Sequence, residues 1–163
     1  MAVDLLFRNV DADVADPVEC WPVEAIATAL ERGGLRHWSR IVKAISDDPW
    51  GPLARDVEQA LGYVQAYGVR PGLTRALQRA RETREQEEKR AVAHEFRELV
   101  EESGLTAAEF ATRIGTSGSR LSTYLSGKVT PSATLLLRAR SVRDRAQRAA
   151  ISQAKEGHGD SRY

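Results

Sequence analysis

The chain has 163 residues, of which 29% are charged and 42% hydrophobic, and its formal net charge is +1 at pH 7. That length and balance suit one or two small globular domains with respectable cores. They exclude a membrane-spanning protein, since no apolar run approaches the roughly 20 residues a bilayer helix needs.

The N-terminus lacks the basic-then-apolar pattern of a secretory signal. The single cysteine, Cys20, permits no internal disulfide and points to a reducing compartment. A cytoplasmic, nucleoid-associated protein is therefore expected. Cys20 itself is expected to be a small buried or half-buried apolar residue.

Charge is unevenly spread. Residues 1–31 carry seven acids against one base, whereas residues 103–155 carry nine bases against two acids. An acidic head and a basic tail end are the asymmetry expected when only one end meets phosphate.

In chain order, residues 1–16 read as a loosely held acidic arm that Val3, Leu5, Leu6 and Phe7 could dock. Pro22 then occupies a favourable first-turn position for a helix to about Arg32, with Val23, Ile26, Ala27 and Leu30 on one face. Gly33-Gly34 stops it. A second helix is predicted from about Leu35 to Ser46, with Leu35, Trp38, Ile41, Val42 and Ile45 apolar. The run Asp47-Asp48-Pro49-Trp50-Gly51-Pro52 is a turn cluster. A third helix is predicted from about Leu53 to Tyr67, with Val57, Ala60, Leu61 and Val64 inward, and Gly68 to Gly72 breaks it.

From Leu73 to Ser103 no proline or glycine interrupts the pattern, which predicts a helix of roughly 45 Å. Its middle, residues 81–90, has no apolar side chain but carries the opposite-charge i, i+4 pairs Arg81–Glu85, Arg84–Glu88 and Glu85–Lys89. That segment reads as a solvated helical linker without the apolar seam of a coiled coil. The expected organisation is an all-α chain: an N-terminal helical domain (1–80), a charged helical linker (81–90), a C-terminal domain (91–155) and a disordered tail (156–163).

Residues 105–132, LTAAEFATRIGTSGSRLSTYLSGKVTPS, carry the most specific signal. Thr106 is a candidate N-cap with Glu109 as its capping-box partner. Phe110, Ala111 and Ile114 form the apolar face of a short helix, which Gly115 ends. Ser117 is a candidate N-cap of a second short helix with Leu121, Tyr124 and Leu125 inward, and Gly127 ends that one. Two short helices joined by a glycine turn form the geometry that presents the second helix to a DNA major groove.

From about His94 to Val142 the chain resembles the XRE family, the Cro- and phage-repressor-like helix-turn-helix domains. The features that carry the resemblance are Ala111 at the helix contact, Gly115 in the turn, Leu121 in the second helix and the run Gly127-Lys128-Val129-Thr130-Pro131-Ser132 leading into the next helix. The resemblance implies that the start of the helix over 117–126 meets base edges through Ser117, Gly118, Ser119 and Arg120, and a turn later through Ser122 and Thr123. Arg120 is the one side chain among them able to make a bidentate guanine contact. Lys128 and Thr130 in the following loop, and Ser126 by resemblance, fall at backbone-contacting positions. Many family members carry glutamine where this chain has Ala107 and Gly118, so base-specific readout is expected to be thin, with more weight on phosphate contacts and DNA shape.

Enzyme chemistry finds no support. His37, His94 and His158 are scattered, no Cys/His spacing suits a metal, and no glycine-rich phosphate loop follows a strand. Neither cofactor nor metal is expected. Asp47 and Asp48 read as turn and cap residues, and His37 as a surface or half-buried structural residue. Trp21, Trp38 and Trp50 read as core aromatics, or alternatively as the lining of a partner groove.

The expected function is a DNA-binding transcriptional regulator, a homodimeric repressor. Double-stranded DNA is its partner, the N-terminal domain supplies the dimer or partner surface, and the long helix sets the spacing of the reading heads. The alternative is an antitoxin whose N-terminal domain binds a toxin and whose C-terminal domain autoregulates the operon.

Overall fold

The computed structural model describes residue 7, residues 10–65 and residues 67–157. Val3, Leu5 and Leu6 of the expected arm, His158 and the tail from 158 to 163 lie outside the described residues. Among the described residues the chain forms one short 3-10 turn, Val18–Cys20, seven α-helices and no strand. The helices are α1 (Val23–Arg32), α2 (Leu35–Asp47), α3 (Pro52–Tyr63), α4 (Arg70–Ser103), α5 (Ala107–Ile114), α6 (Gly118–Leu125) and α7 (Ala133–Gly157). None of them is long and apolar enough to cross a membrane. The chain divides into two compact units between Glu85 and Gln86.

The first unit buries Trp21, Ile26, Leu30, Ile41, Ile45, Val57 and Leu61, with Leu73 and Leu77 from the start of α4. Burying side chains of this size contributes roughly 1.5–3 kcal/mol apiece. The segment before α1 is held by Arg40. Its guanidinium lies over the Trp21 ring, 4.9 Å from the centroid, and donates to the carbonyls of Val14 and Asp16. Trp21 Nε1 donates to the Asp13 carbonyl at 3.1 Å, so the ring's polar edge is satisfied although the residue is only 2% exposed.

The three tryptophans separate. Trp21 is core, Trp38 is half-buried with Nε1 on the Ala29 carbonyl at 2.9 Å, and Trp50 is exposed. His37 is half-buried and structural: its Nδ1 accepts from the Gly34 N–H at the start of α2.

Four expectations are corrected. Cys20 is exposed, not buried. It closes a 3-10 turn, whose three-residue repeat brings Val18 and Trp21 inward and leaves Glu19 and Cys20 outward. Leu35 is exposed too, because it is the first residue of α2 and precedes the turn that meets the core. Helix α3 ends at Tyr63 rather than Tyr67: Val64 is extended and still buried, so the apolar pattern outlasts the helix. Helix α4 begins at Arg70, with Pro71 in its first turn, where a missing N–H costs nothing.

The charged middle of α4 is also less free than its composition suggests. Arg81 forks onto Glu58 at 2.7 and 3.0 Å, and its Nε donates to the Pro49 carbonyl at 3.0 Å. Arg84 donates to the Asp47 carbonyl at 2.8 Å. Both carbonyls belong to the end of α2 and the turn behind it, where backbone acceptors lack intrahelical donors. Residues 85–90 are exposed.

This clamp titrates. The hydrogen bonds from Arg81 hold the Glu58 carboxyl below the usual carboxylate range, against a smaller opposing effect of burial. A depressed folded-state value means the stabilisation is complete above the unfolded value, about pH 4, and is lost as pH falls through the folded value. Glu58→Gln should therefore lower the melting temperature at neutral pH, with the difference from the parent shrinking as pH falls below the usual carboxylate range and through the folded value. Melting curves across that range check it, and a difference that persists in acid would mean the carboxylate charge contributes nothing.

Candidate nucleic-acid interface

The second unit places α5 and α6 on a core of Phe96 and Leu99 from α4, Phe110, Ala111 and Ile114 from α5, Leu121 from α6, and Leu135, Ala139 and Val142 from α7. Phe96 and Phe110 are fully buried, and the Tyr124 ring leans on Phe96 with centroids 5.9 Å apart.

Local chemistry fixes both ends of α5. The Thr106 hydroxyl accepts from the Glu109 N–H at 3.3 Å, and the Glu109 carboxylate accepts from the Thr106 N–H at 2.9 Å and from its hydroxyl at 2.7 Å. Those bonds, the side-chain one foremost, hold the Glu109 carboxyl below the usual carboxylate range. At the other end Gly115 has φ 78°, a left-handed conformation in which a side chain is strained. Its N–H bonds the Thr112 carbonyl and the Thr116 N–H bonds the Ala111 carbonyl, the paired Schellman closure. The chain thereby turns directly into α6.

Helix α6 starts at an N-cap, Ser117, whose hydroxyl accepts from the Arg120 N–H at 3.2 Å and lies 3.1 Å from the Ser119 hydroxyl. Leu121 is buried, Tyr124 and Leu125 are half-buried, and Ser117, Gly118, Ser119, Arg120 and Ser122 are exposed. Thr123 is half-buried and donates its hydroxyl proton to the Arg120 carbonyl at 2.7 Å. The exposed Ser126 donates to the Thr123 carbonyl at 3.1 Å. With both hydroxyl protons engaged on these carbonyls, the two oxygens are left with acceptor capacity only, which suits an amino donor on a base rather than a phosphate oxygen. Gly127 turns the chain with φ 72°, and the Val129 N–H returns to the Thr123 carbonyl at 3.2 Å. Lys128 and Thr130 project from that loop, exposed. Ser132 caps α7 by accepting from the Leu135 N–H at 3.2 Å.

All nine residues singled out in the sequence thus lie on α6, at its ends or in the loop after it. Two further side chains bear on this surface. Arg97 of α4 donates Nε to the Leu125 carbonyl at 3.0 Å, capping the end of α6 where acceptors are unsatisfied and positive charge is favoured. Arg138 of α7 lies against the turn: a Cβ on Gly115 would sit 3.6 Å from its guanidinium. Neither contact has a local signature, because the partners are 28 and 23 residues away in sequence.

Two short helices crossing at a left-handed glycine, with the second capped and exposed along its outer side, define a helix-turn-helix unit of the DNA-binding class. Residues 91–144 match a protein-family model described as a helix-turn-helix domain. No curated protein and no solved structure matches the chain.

Proposed function

We propose that the protein is an XRE-type transcriptional regulator, a homodimeric and non-enzymatic repressor of the cytoplasm and nucleoid, that reads duplex DNA with residues 117–126. The observation that carries this reading is α6 itself. It is anchored at both ends, by Ser117 within and Arg97 from α4, and it leaves a row of small polar side chains and one arginine uncovered. Arg120 reads a guanine edge, while Lys128, Thr130 and the backbone near Ser126 track phosphates.

The test compares two alanine variants on an operator found by genome-wide mapping and on a scrambled duplex. Arg120→Ala should lose about 1–3 kcal/mol of discrimination between the two duplexes. Lys128→Ala should weaken both equally and make the dependence on salt shallower by about one phosphate contact per bound protomer. Equal weakening of both duplexes by Arg120→Ala would make it a phosphate contact and remove the base reader.

A second reading, an antitoxin that neutralises a toxin through its N-terminal unit, draws on the apolar side chains that unit leaves exposed: Leu35, Trp50, Tyr63 and Tyr67. Scattered exposed apolar residues are ordinary on a monomer, so they favour it only weakly. Toxicity of a co-transcribed neighbouring reading frame, relieved by this chain, would decide for it.

A further inference from the structure

Helix α7 runs well past the core it closes. Val142 is its last buried residue, and residues 147–155 are exposed throughout. The helix-turn-helix match ends at 144. From 145 to 155 the sequence RAQRAAISQAK contains three bases and no acid.

The basic residues of α7 fall into two groups with different surroundings. Arg140 pairs with Glu95, and Arg143 with Glu102 and Asp144, so those two serve the packing of α7 on α4. Arg138, Arg145, Arg148 and Lys155 have no carboxylate within ion-pair distance among the described residues. Their offsets of 7, 10 and 17 residues from Arg138 place all four within a sector of about 100° on the helix. Arg140 and Arg143 fall outside that sector, toward α4. The stripe is therefore on the opposite flank of α7, and Arg138 shows where that flank begins: beside Gly115, in the turn that feeds α6.

We propose that this stripe binds the phosphates of duplex DNA flanking the segment that α6 reads. The inference rests on the reading of α6 as the DNA-contacting helix. The stripe spans about 25 Å from Arg138 to Lys155, at ~1.5 Å per residue. Duplex DNA carries one charge per roughly 1.7 Å of axis, so it offers several phosphates over that length. Charge complementarity selects this occupant over the same stripe of a second copy, because two such stripes would repel one another.

The experiment uses the full chain and the triple variant Arg145→Gln, Arg148→Gln, Lys155→Gln, which keeps good helix formers at exposed sites. Affinity is measured across a salt series on an operator with long flanks and on one trimmed to the segment protected by α6. On the long duplex the variant should show a salt slope shallower by about 2–3 per bound protomer, since each phosphate contact contributes ~0.9. Trimming the flanks should make the parent's salt slope shallower by that same amount and leave the variant's slope unchanged.

An unchanged slope on the long duplex, with parent binding intact, would overturn the stripe and leave the α6 reading standing. An unchanged slope together with a shift in sedimentation from dimer to monomer would overturn it in favour of a self-association surface. Failure of the parent to bind any duplex from its source genome at low salt would overturn both readings.

Discussion

Replacing Phe96 by alanine is expected to unfold the second unit and abolish DNA binding while leaving the first unit folded. Phe96 is fully buried where α4, α5 and α6 meet, and Tyr124 of α6 rests on it. Removing a buried phenylalanine costs about 3–5 kcal/mol, the lost transfer energy plus the cavity left behind. A unit of this size has a stability toward the low end of about 5–15 kcal/mol, so the loss consumes most of it. The protein supplies its own reporter: all three tryptophans lie before residue 86. Circular dichroism of the variant should lose helix at temperatures where tryptophan fluorescence still reports a native first unit. If the fluorescence transition moves down together with the loss of helix, the two units do not fold independently and the proposed division into domains fails.

The complementary change is Trp21→Ala, with an expected cost of about 3–5 kcal/mol to the first unit alone. Trp21 does three things at once. It fills the core, its Nε1 ties down the Asp13 carbonyl, and its face carries the Arg40 guanidinium, which in turn holds Val14 and Asp16. Phe7 also packs edge-on against it, with centroids 5.0 Å apart. Truncation should therefore release the whole segment before α1, seen as new protease cuts between residues 10 and 20. Trp21→Phe should keep most of the core contribution but lose the Asp13 bond. Binding to a single half-site should survive Trp21→Ala, because α6 belongs to the other unit. Loss of that binding with the second unit still folded would place part of the DNA surface in the first unit.

What the sequence disclosed, and what it withheld, follows from the range of the interactions. The capping box of Thr106 and Glu109, the turn at Gly115 and the cap at Ser117 are each closed within five residues, so residue type and spacing sufficed to find them. The bounds of α5 and α6 were legible for that reason, and the candidate site came with them. The ends of α3 and the start of α4 were not. Val64 keeps the apolar pattern going after the helix has stopped, and Pro71 reads as a breaker although it stands where a helix tolerates it. The Arg81–Glu58 clamp, the Arg97 cap and the placement of Arg138 join residues 23 or more apart, which no local pattern encodes. Orientation at element ends was equally silent: Cys20 and Leu35 are apolar by composition and outward by position.

The closure of α6 has a consequence for how this domain can change over time. An isolated eight-residue helix in water is well short of the ~12–15 residues at which helices become even marginally stable. Its shape is dictated from outside, by Leu121 in the core, Arg97 at one end and the Schellman turn at the other. Gly118, Ser119 and Ser122 carry no packing duty, so the folded state places little constraint on what stands there. Drift at those positions would alter what the surface meets while leaving the scaffold intact. On the proposed reading of α6, recognition is thus decoupled from architecture, and retargeting by substitution at a few sites is open to evolution and to the bench alike.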